Sequence, residues 1–202
     1  MSESPNSAGR PLPWTKLSSR HEPSLLLFRP RWDKLVNPRT QQPMDRLVLE
    51  TPDWVNVVAL TEDEQLILVQ QYRFGTSNVT TEIPGGMVDR GEAHADAAQR
   101  ELREETGYAA RTWTYLGAVE PNPAFHDNLC HHWLATGCHK VSEHLELDAG
   151  EDIVVYTEAL TRVAERVRAG EIRHVLVLSA LQRVIDLYDT TARRRNHGPH
   201  AD

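Results

Sequence analysis

Residues Ala93 to Thr106, AHADAAQRELREET, admit little other than a helix. Ala97, Ala98 and Leu102 form an apolar stripe at helical spacing, and Gly107 supplies the stop. Positions i, i+3 and i+4 of a helix share a face, so Glu101, Glu104 and Glu105 point the same way. Like charges this close repel unless a cation joins them. Clustered hard oxygen donors suit Mg²⁺ or Mn²⁺. Arg100 lies one residue before Glu101 and four before Glu104, where a guanidinium can orient a carboxylate through paired hydrogen bonds. A Glu-rich helix is most often solvated surface. The glycine turn ahead of this one, Glu92 and the terminal Gly107 set it apart.

The rest of the chain reads as a mixed α/β (α+β) body. Trp54 to Leu60 and Leu66 to Tyr72 are rich in β-branched residues, and the acidic turn Thr61 to Glu64 between them predicts a hairpin. Glu82-Ile83-Pro84-Gly85-Gly86 reads as a strand end entering a glycine turn. Trp113 to Val119, His132 to Thr136 and Ile153 to Thr157 are further strands, and Glu158 to Ala169 and Val175 to Tyr188 are closing helices. Upstream, Leu25 to Phe28 and Leu47 to Leu49 are the best strand candidates among prolines that keep elements short. The expected organisation is a disordered N-terminus (1–13), a small N-terminal β region (14–52), the main domain (53–189) and a flexible tail (190–202).

The formal net charge is −7 and no long basic run breaks it, which argues against nucleic acid as a partner. No apolar run approaches the roughly 18 residues of a membrane span, and the N-terminus lacks the apolar core of a secretory signal. A cytoplasmic protein without membrane partners is expected. Two cysteines, Cys130 and Cys138, make no disulfide framework.

The stretch Gly86 to Tyr108 resembles the Nudix signature: Gly, five residues, Glu, seven residues, then Arg-Glu-apolar-any-Glu-Glu-any-Gly-apolar. Gly86, Glu92, Arg100, Glu101, Leu102, Glu104, Glu105 and Gly107 fill its fixed places, with Tyr108 a looser fit to the last. The resemblance implies the Nudix fold, a mixed β-sheet between helices. It implies hydrolysis of a nucleoside diphosphate joined to a further moiety. Carried over by position, Glu101 and Glu105 become the principal metal ligands, with Glu104 assisting and the Gly85 carbonyl as a backbone ligand. Gly86, Glu92, Arg100 and Gly107 become structural parts of the motif.

Features outside the signature resemble the ADP-ribose pyrophosphatase branch of that family. Gln71-Tyr72-Arg73 is similar to a segment whose arginine holds the diphosphate, and Thr81 to Gly86 is similar to the strand entering the box, although Gly85 stands where Ala is more usual. The branch carries a proline about fifteen residues past the box, where Pro123 falls; Pro121-Asn122-Pro123 is equally readable as a plain turn. Arg73, Glu82 and Pro123 are thus the expected substrate contacts. The loop Asp148 to Ile153 resembles one that supplies a late glutamate for metal binding or water activation. Glu151 matches it best, with Asp148 and Asp152 as neighbouring alternatives. His174 departs from the small polar residue usual nearby. Members of this branch tend to be homodimers built on the N-terminal region.

These expectations combine into a Mg²⁺-dependent hydrolase, with Mn²⁺ as substitute, that converts ADP-ribose to AMP and ribose 5-phosphate. Glu105, Glu104 and Glu151 carry the chemistry. Nucleotide sugars or dinucleotides are alternative substrates, and a non-catalytic ADP-ribose sensor is an alternative of another class. A zinc reading of His126, Cys130, His131, His132, Cys138 and His139 is weak. Adjacent strand residues His131 and His132 point to opposite faces, and the spacing lacks CxxC or HxxxH pairs.

Overall fold

The structure, a computed structural model, describes residues 12–187. The expected tail from Thr190, Tyr188 and all but the last two residues of the expected disordered N-terminus lie outside the described residues. The chain divides into two compact units. One holds the described residues through Thr51 together with Asn122–Asn128; the other holds Pro52–Pro121 and the described residues from Leu129.

The first unit is an antiparallel three-stranded meander of β1 (Thr15–His21), β2 (Arg29–Val36) and β3 (Pro43–Glu50). Leu25 to Phe28, expected as a strand, is instead the tight turn between β1 and β2. Leu25 and Phe28 exchange main-chain hydrogen bonds of 2.6 and 2.8 Å across Leu26, whose φ is +43°. The apolar run had suggested burial, but Leu25 to Leu27 are exposed. In their place a buried ion pair anchors the sheet. Asp33 is 3% exposed and is bound by Lys16, Ser19 and Arg31. Burial opposes its ionisation, yet those donors hold its pKa down at about 2. Pro123 belongs to this unit, in a turn where the Asn122 carbonyl accepts the N–H groups of Phe125 and His126.

The second unit contains β4 (Trp54–Thr61), β5 (Gln65–Arg73), β6 (Asn78–Glu82), α1 (His94–Thr106), β7 (Tyr108–Ala109), β8 (Thr112–Val119), β9 (Cys130–Lys140), β10 (Ile153–Ala159), α2 (Leu160–Arg168) and α3 (Val175–Leu181). Its sheet runs β10-β5-β4-β9-β7, with β6 also pairing β5 and β8 also pairing β9. The β4–β9 pair is parallel and the others are antiparallel, giving a mixed sheet. The expected hairpin forms where Leu60 opposes Leu66.

Strand alternation places the sheet between helices. Val55, Val57, Ala59 and Ile67 face one layer with Ala97, Ala98 and Leu102 of α1. Val58, Leu66 and Leu68 face the other with Val163 and Val167 of α2 and Val177 and Leu181 of α3. This is the mixed α+β arrangement expected from the sequence. Two helix bounds differ by more than one residue: Glu158 lies in β10, which runs to Ala159, rather than opening α2, and α3 ends at Leu181, followed by turns. Glu158 stays extended because it pairs with Leu66, and its carboxylate reaches Arg166 at 2.7 Å.

Candidate active site

The carboxylates on α1 are placed by the helix itself. Glu101 and Glu105 lie on its buried face together with Ala97, Ala98 and Leu102. Gly107 ends the helix in the left-handed conformation, φ +70°, and its N–H returns to the Arg103 carbonyl. Glu101 is 8% exposed and Glu105 3% exposed, unusual for glutamates. Burial lifts the Glu101 carboxyl to a pKa of about 7, despite its bond to Arg100, and Glu104 and Glu151 add to the rise. Glu105 is pushed well above the usual carboxylate range, again chiefly by burial. The Gly85 N–H and Arg73 oppose the rise, while Glu101 and Glu151 reinforce it.

Arg100 holds one side of this cluster. It donates to Glu92 through Nε and Nη2 at 3.0 Å each, to Glu101 at 2.8 Å, to Glu104 at 3.1 Å and to the Met87 carbonyl at 2.9 Å. Glu92 also accepts the Asp89 N–H at 3.0 Å, so helix and preceding loop are tied through one guanidinium.

The segment 84–88 is laid along β4. Val57 and Val55 donate to the carbonyls of Pro84 and Gly86, and Val88 donates to the Asp53 carbonyl, all at 2.8–2.9 Å. Gly85, between these bonds, turns its N–H away from β4 and gives it to Glu105 at 2.9 Å. A Cβ on Gly85 would stand 2.2 Å from the Val55 carbonyl oxygen, which explains glycine where alanine was the expected residue. A Cβ on Gly86 would stand 2.5–2.8 Å from the Glu101 carboxylate, so its absence is what lets that carboxylate lie against the turn.

Across from the helix, Arg73 at the end of β5 and Glu82 at the end of β6 form a two-bonded pair, both distances 2.7 Å. Glu82 is 3% exposed. Burial would raise its pKa, but Arg73 and the Thr80 hydroxyl hold it below the usual range. The pair forms because β6 returns antiparallel to β5, bringing the strand ends together. Arg73 senses Glu105 and Glu151 as well, so the three belong to one electrostatic neighbourhood. Thr80 was not singled out in the sequence, though its place two residues before Glu82 puts both on one strand face. His174, which caps α3, lies within the field of Glu82 and Arg73. Its basicity is lowered, mainly by burial.

Glu151 sits on the exposed loop before β10. Its carboxylate accepts the Asp148 N–H at 2.9 Å, and its own N–H donates to the Asp148 carbonyl at 2.9 Å. Its charge acts on Glu101, Glu105 and Arg73. Thus the structure brings Glu101, Glu104, Glu105, Gly85, Arg73, Glu82 and Glu151 into one region of the second unit. Pro123 falls in the first unit.

Among the described residues no three His, Cys, Asp or Glu side chains already converge as a metal cage. Glu101 and Glu104 are held by Arg100 instead. The donor set nevertheless fits a hard divalent cation: all donors are oxygens, and the buried Glu105 carboxyl is raised by the field of Glu101 beside it. Cys130 Sγ lies 3.9 Å from His132 Nδ1, but the adjacent histidines of β9 point apart. His131 faces Tyr115 and Asp53, whereas His132 faces Ser179 of α3. Cys130 and Cys138 are buried free thiols with pKa pushed up to about 12 by burial. No helix among the described residues is long and apolar enough to cross a membrane.

Comparison with known proteins adds to this geometry. The NUDIX domain family model matches residues 51–174. An ADP-ribose pyrophosphatase of Bacillus subtilis (strain 168) is 33% identical over 137 residues, covering 68% of this chain and 74% of that protein. The methanol dehydrogenase activator of Bacillus methanolicus is 32% identical over 145 residues, 70% of this chain and 78% of that protein. A crystal structure of an ADP compounds hydrolase aligns with a TM-score of 0.76 over 88% of this chain and 95% of the other. At 23% identity that likeness shows the fold alone.

Proposed function

Since the chain belongs to the Nudix family and is a Nudix pyrophosphohydrolase, we propose that it cleaves the diphosphate of ADP-ribose to AMP and ribose 5-phosphate with Mg²⁺, Mn²⁺ serving in its place. The observation that carries the reading is the pair of buried carboxylates, Glu101 and Glu105, set against a glycine turn within the field of Arg73.

Glu101, Glu105 and Glu104, with the Gly85 carbonyl, would hold the cation. Bound there, a divalent metal offsets the diphosphate charge and makes hydroxide available near neutral pH. Arg73 spends two of its N–H groups on Glu82, which aims the guanidinium and leaves its other N–H groups for a diphosphate oxygen. Glu82 therefore serves the substrate by fixing Arg73. Glu151, on a separate element, accepts a proton from the attacking water or orients it. Cleavage then places one oxygen from water on a phosphorus and leaves the other phosphate with the departing product. Pro123 as a substrate contact and a homodimer complete the proposal, both resting on likeness to the ADP-ribose pyrophosphatase branch, and a cytoplasmic setting rests on the lack of a long apolar run in the sequence.

The ADP-ribose preference is supported by the relative from Bacillus subtilis and by the Arg73 segment. Nucleotide sugars and dinucleotides share the diphosphate and form the second reading. Retention of every box carboxylate speaks against a sensor that binds without cleaving. A panel of ADP-ribose, nucleotide sugars, NADH and diadenosine polyphosphates, assayed with Mg²⁺ and Mn²⁺ and resolved by product, tests the proposal. AMP with ribose 5-phosphate as the fastest products supports it, and a faster rate on any other member overturns the preference.

A further inference from the structure

At the end of α1 opposite the glutamates lies a polar and aromatic network that the proposed chemistry does not use. Asp53, just before β4, accepts from His131 Nε2 at 3.2 Å. His131 Nδ1 is 2.9 Å from the Tyr115 hydroxyl. A carboxylate only accepts, so Nε2 carries a proton, and in the neutral ring Nδ1 accepts from the phenol. His94, the first residue of α1, stacks on His131 with ring centroids 4.1 Å apart and planes 6° apart. Trp133 Nε1 donates to His94 Nδ1 at 3.2 Å, which holds His94 in register.

The same groups touch both ends of the box loop. The Asp53 carbonyl accepts the Val88 N–H at 2.8 Å, while its side chain accepts the Leu129 N–H at 2.8 Å. His94 is where the loop becomes helix. Arg100 braces this loop from the helix side through Met87 and Glu92. Asp53 and His131 brace it from the sheet side, with His94 stacked on His131 at the start of the helix. His131, 8% exposed, is the member that joins the two ends. A buried imidazole with both nitrogens committed and a ring stacked on its face has few alternative positions, so it transmits rigidity.

We propose that His131 is a positioning residue for the box. Through Asp53 and His94 it fixes the loop 86–93 between the sheet and α1, and so fixes Gly85 and Gly86 against Glu105 and Glu101. The consequence for metal binding rests on the proposed function; the bracing of the loop does not.

The test uses the full-length protein and two variants. His131→Phe keeps a ring over His94 but loses both hydrogen bonds, while His131→Gln keeps a donor for Asp53. Amide hydrogen exchange is read at Val88 and Leu129, which donate to Asp53, and at Val57, which donates to Pro84 as an internal control. In His131→Phe, exchange at Val88 and Leu129 should rise about tenfold with Val57 within about twofold, the pattern of a local opening. His131→Gln should recover most of the protection. Mn²⁺ affinity, measured by titration without substrate, should fall about three- to tenfold in His131→Phe. Unchanged exchange at Val88, or an equal rise at all three amides, overturns the bracing role. A selective rise at Val88 with unchanged Mn²⁺ affinity overturns the link to the metal ligands. Protection that tracks His131 in a protein inactive on ADP-ribose would leave the brace standing and remove the substrate assignment instead.

Discussion

The Gly85 N–H donates to the Glu105 carboxylate at 2.9 Å, joining the backbone of the glycine turn to a side chain one helix away in sequence. The bond lies where Gly85 has room for no side chain on its β4 face and Gly86 has room for none on its Glu101 face. The two glycines thus have separable roles.

Replacing them should separate stability from activity. Gly85→Ala drives a methyl into the Val55 carbonyl, a rigid main-chain atom, and should destabilise by about 1–3 kcal/mol. Gly86→Ala meets the end of a glutamate side chain, which can move aside. It should lower kcat more than tenfold with a smaller loss of Tm, an order-of-magnitude expectation for displaced catalytic groups. Thermal melts and initial rates on both variants check this. Equal losses of Tm would contradict it.

Arg73 and Glu82 support a similar separation. Arg73→Gln leaves Glu82 buried without its partner and should cost roughly 1–3 kcal/mol as well as activity. The double variant Arg73→Gln with Glu82→Gln removes the stranded charge and should regain much of the stability, but none of the kcat/KM. Recovery of catalysis in the double variant would show that Arg73 is structural only.

Acid stability should carry the mark of His132. Fully buried on β9 with Nε2 3.2 Å from the Ser179 hydroxyl, it is pushed down to about 4 from 6.5, chiefly through burial, with the charges of Arg183 and His131 adding to the shift. A folded pKa below the unfolded one means that the unfolded chain takes up the proton first. Stability from this group is therefore complete above about pH 6.5, falls as the pH drops, and levels near pH 4, a change of up to about 3 kcal/mol. Denaturant titrations at several pH values, wild type against His132→Gln, should show a shallower decline in the variant. Parallel curves would contradict the assignment.

The parts of this molecule that were legible in the sequence are those where local pattern and tertiary demand agree. The α1 stripe, the Gly107 stop and the β4–β5 hairpin follow from periodicity and turn chemistry, and the structure places them within a residue or two. β1 and β2 fall inside the expected N-terminal β region but were not singled out as strands, because every residue of β1 is exposed and Pro30 stands within β2. Leu25 to Phe28 misled because an apolar run normally signals burial. At the site, spacing put Glu101, Glu104 and Glu105 on one face. The Arg73–Glu82 bond and the Asp53–His131–Tyr115 chain depend on which strands become neighbours, which no local pattern encodes.

Glu151 is the catalytic assignment furthest in sequence from the box. If it acts on the water, Glu151→Gln should reduce kcat at least about tenfold while changing substrate Kd by less than about threefold, the pattern of a group used mainly in the transition state. Asp148→Asn and Asp152→Asn should do less, since Asp148 serves Glu151 mainly through its backbone. A crippled aspartate variant would move the role within the loop. Near-normal kcat in all three would send the search for the base to Glu104.

The most direct measurement of the central claim is the rate of AMP release from ADP-ribose at saturating Mg²⁺, wild type beside Glu105→Gln, with melting temperatures recorded with and without chelator. Glutamine retains an oxygen for the Gly85 N–H and fills the same space, so the fold should survive. The account predicts a fall of roughly 10²- to 10⁴-fold in kcat for the variant, abolition of wild-type activity by chelator, and little change in Tm in either case. A folded Glu105→Gln protein that releases AMP at the wild-type rate, or full activity in excess chelator, would contradict it.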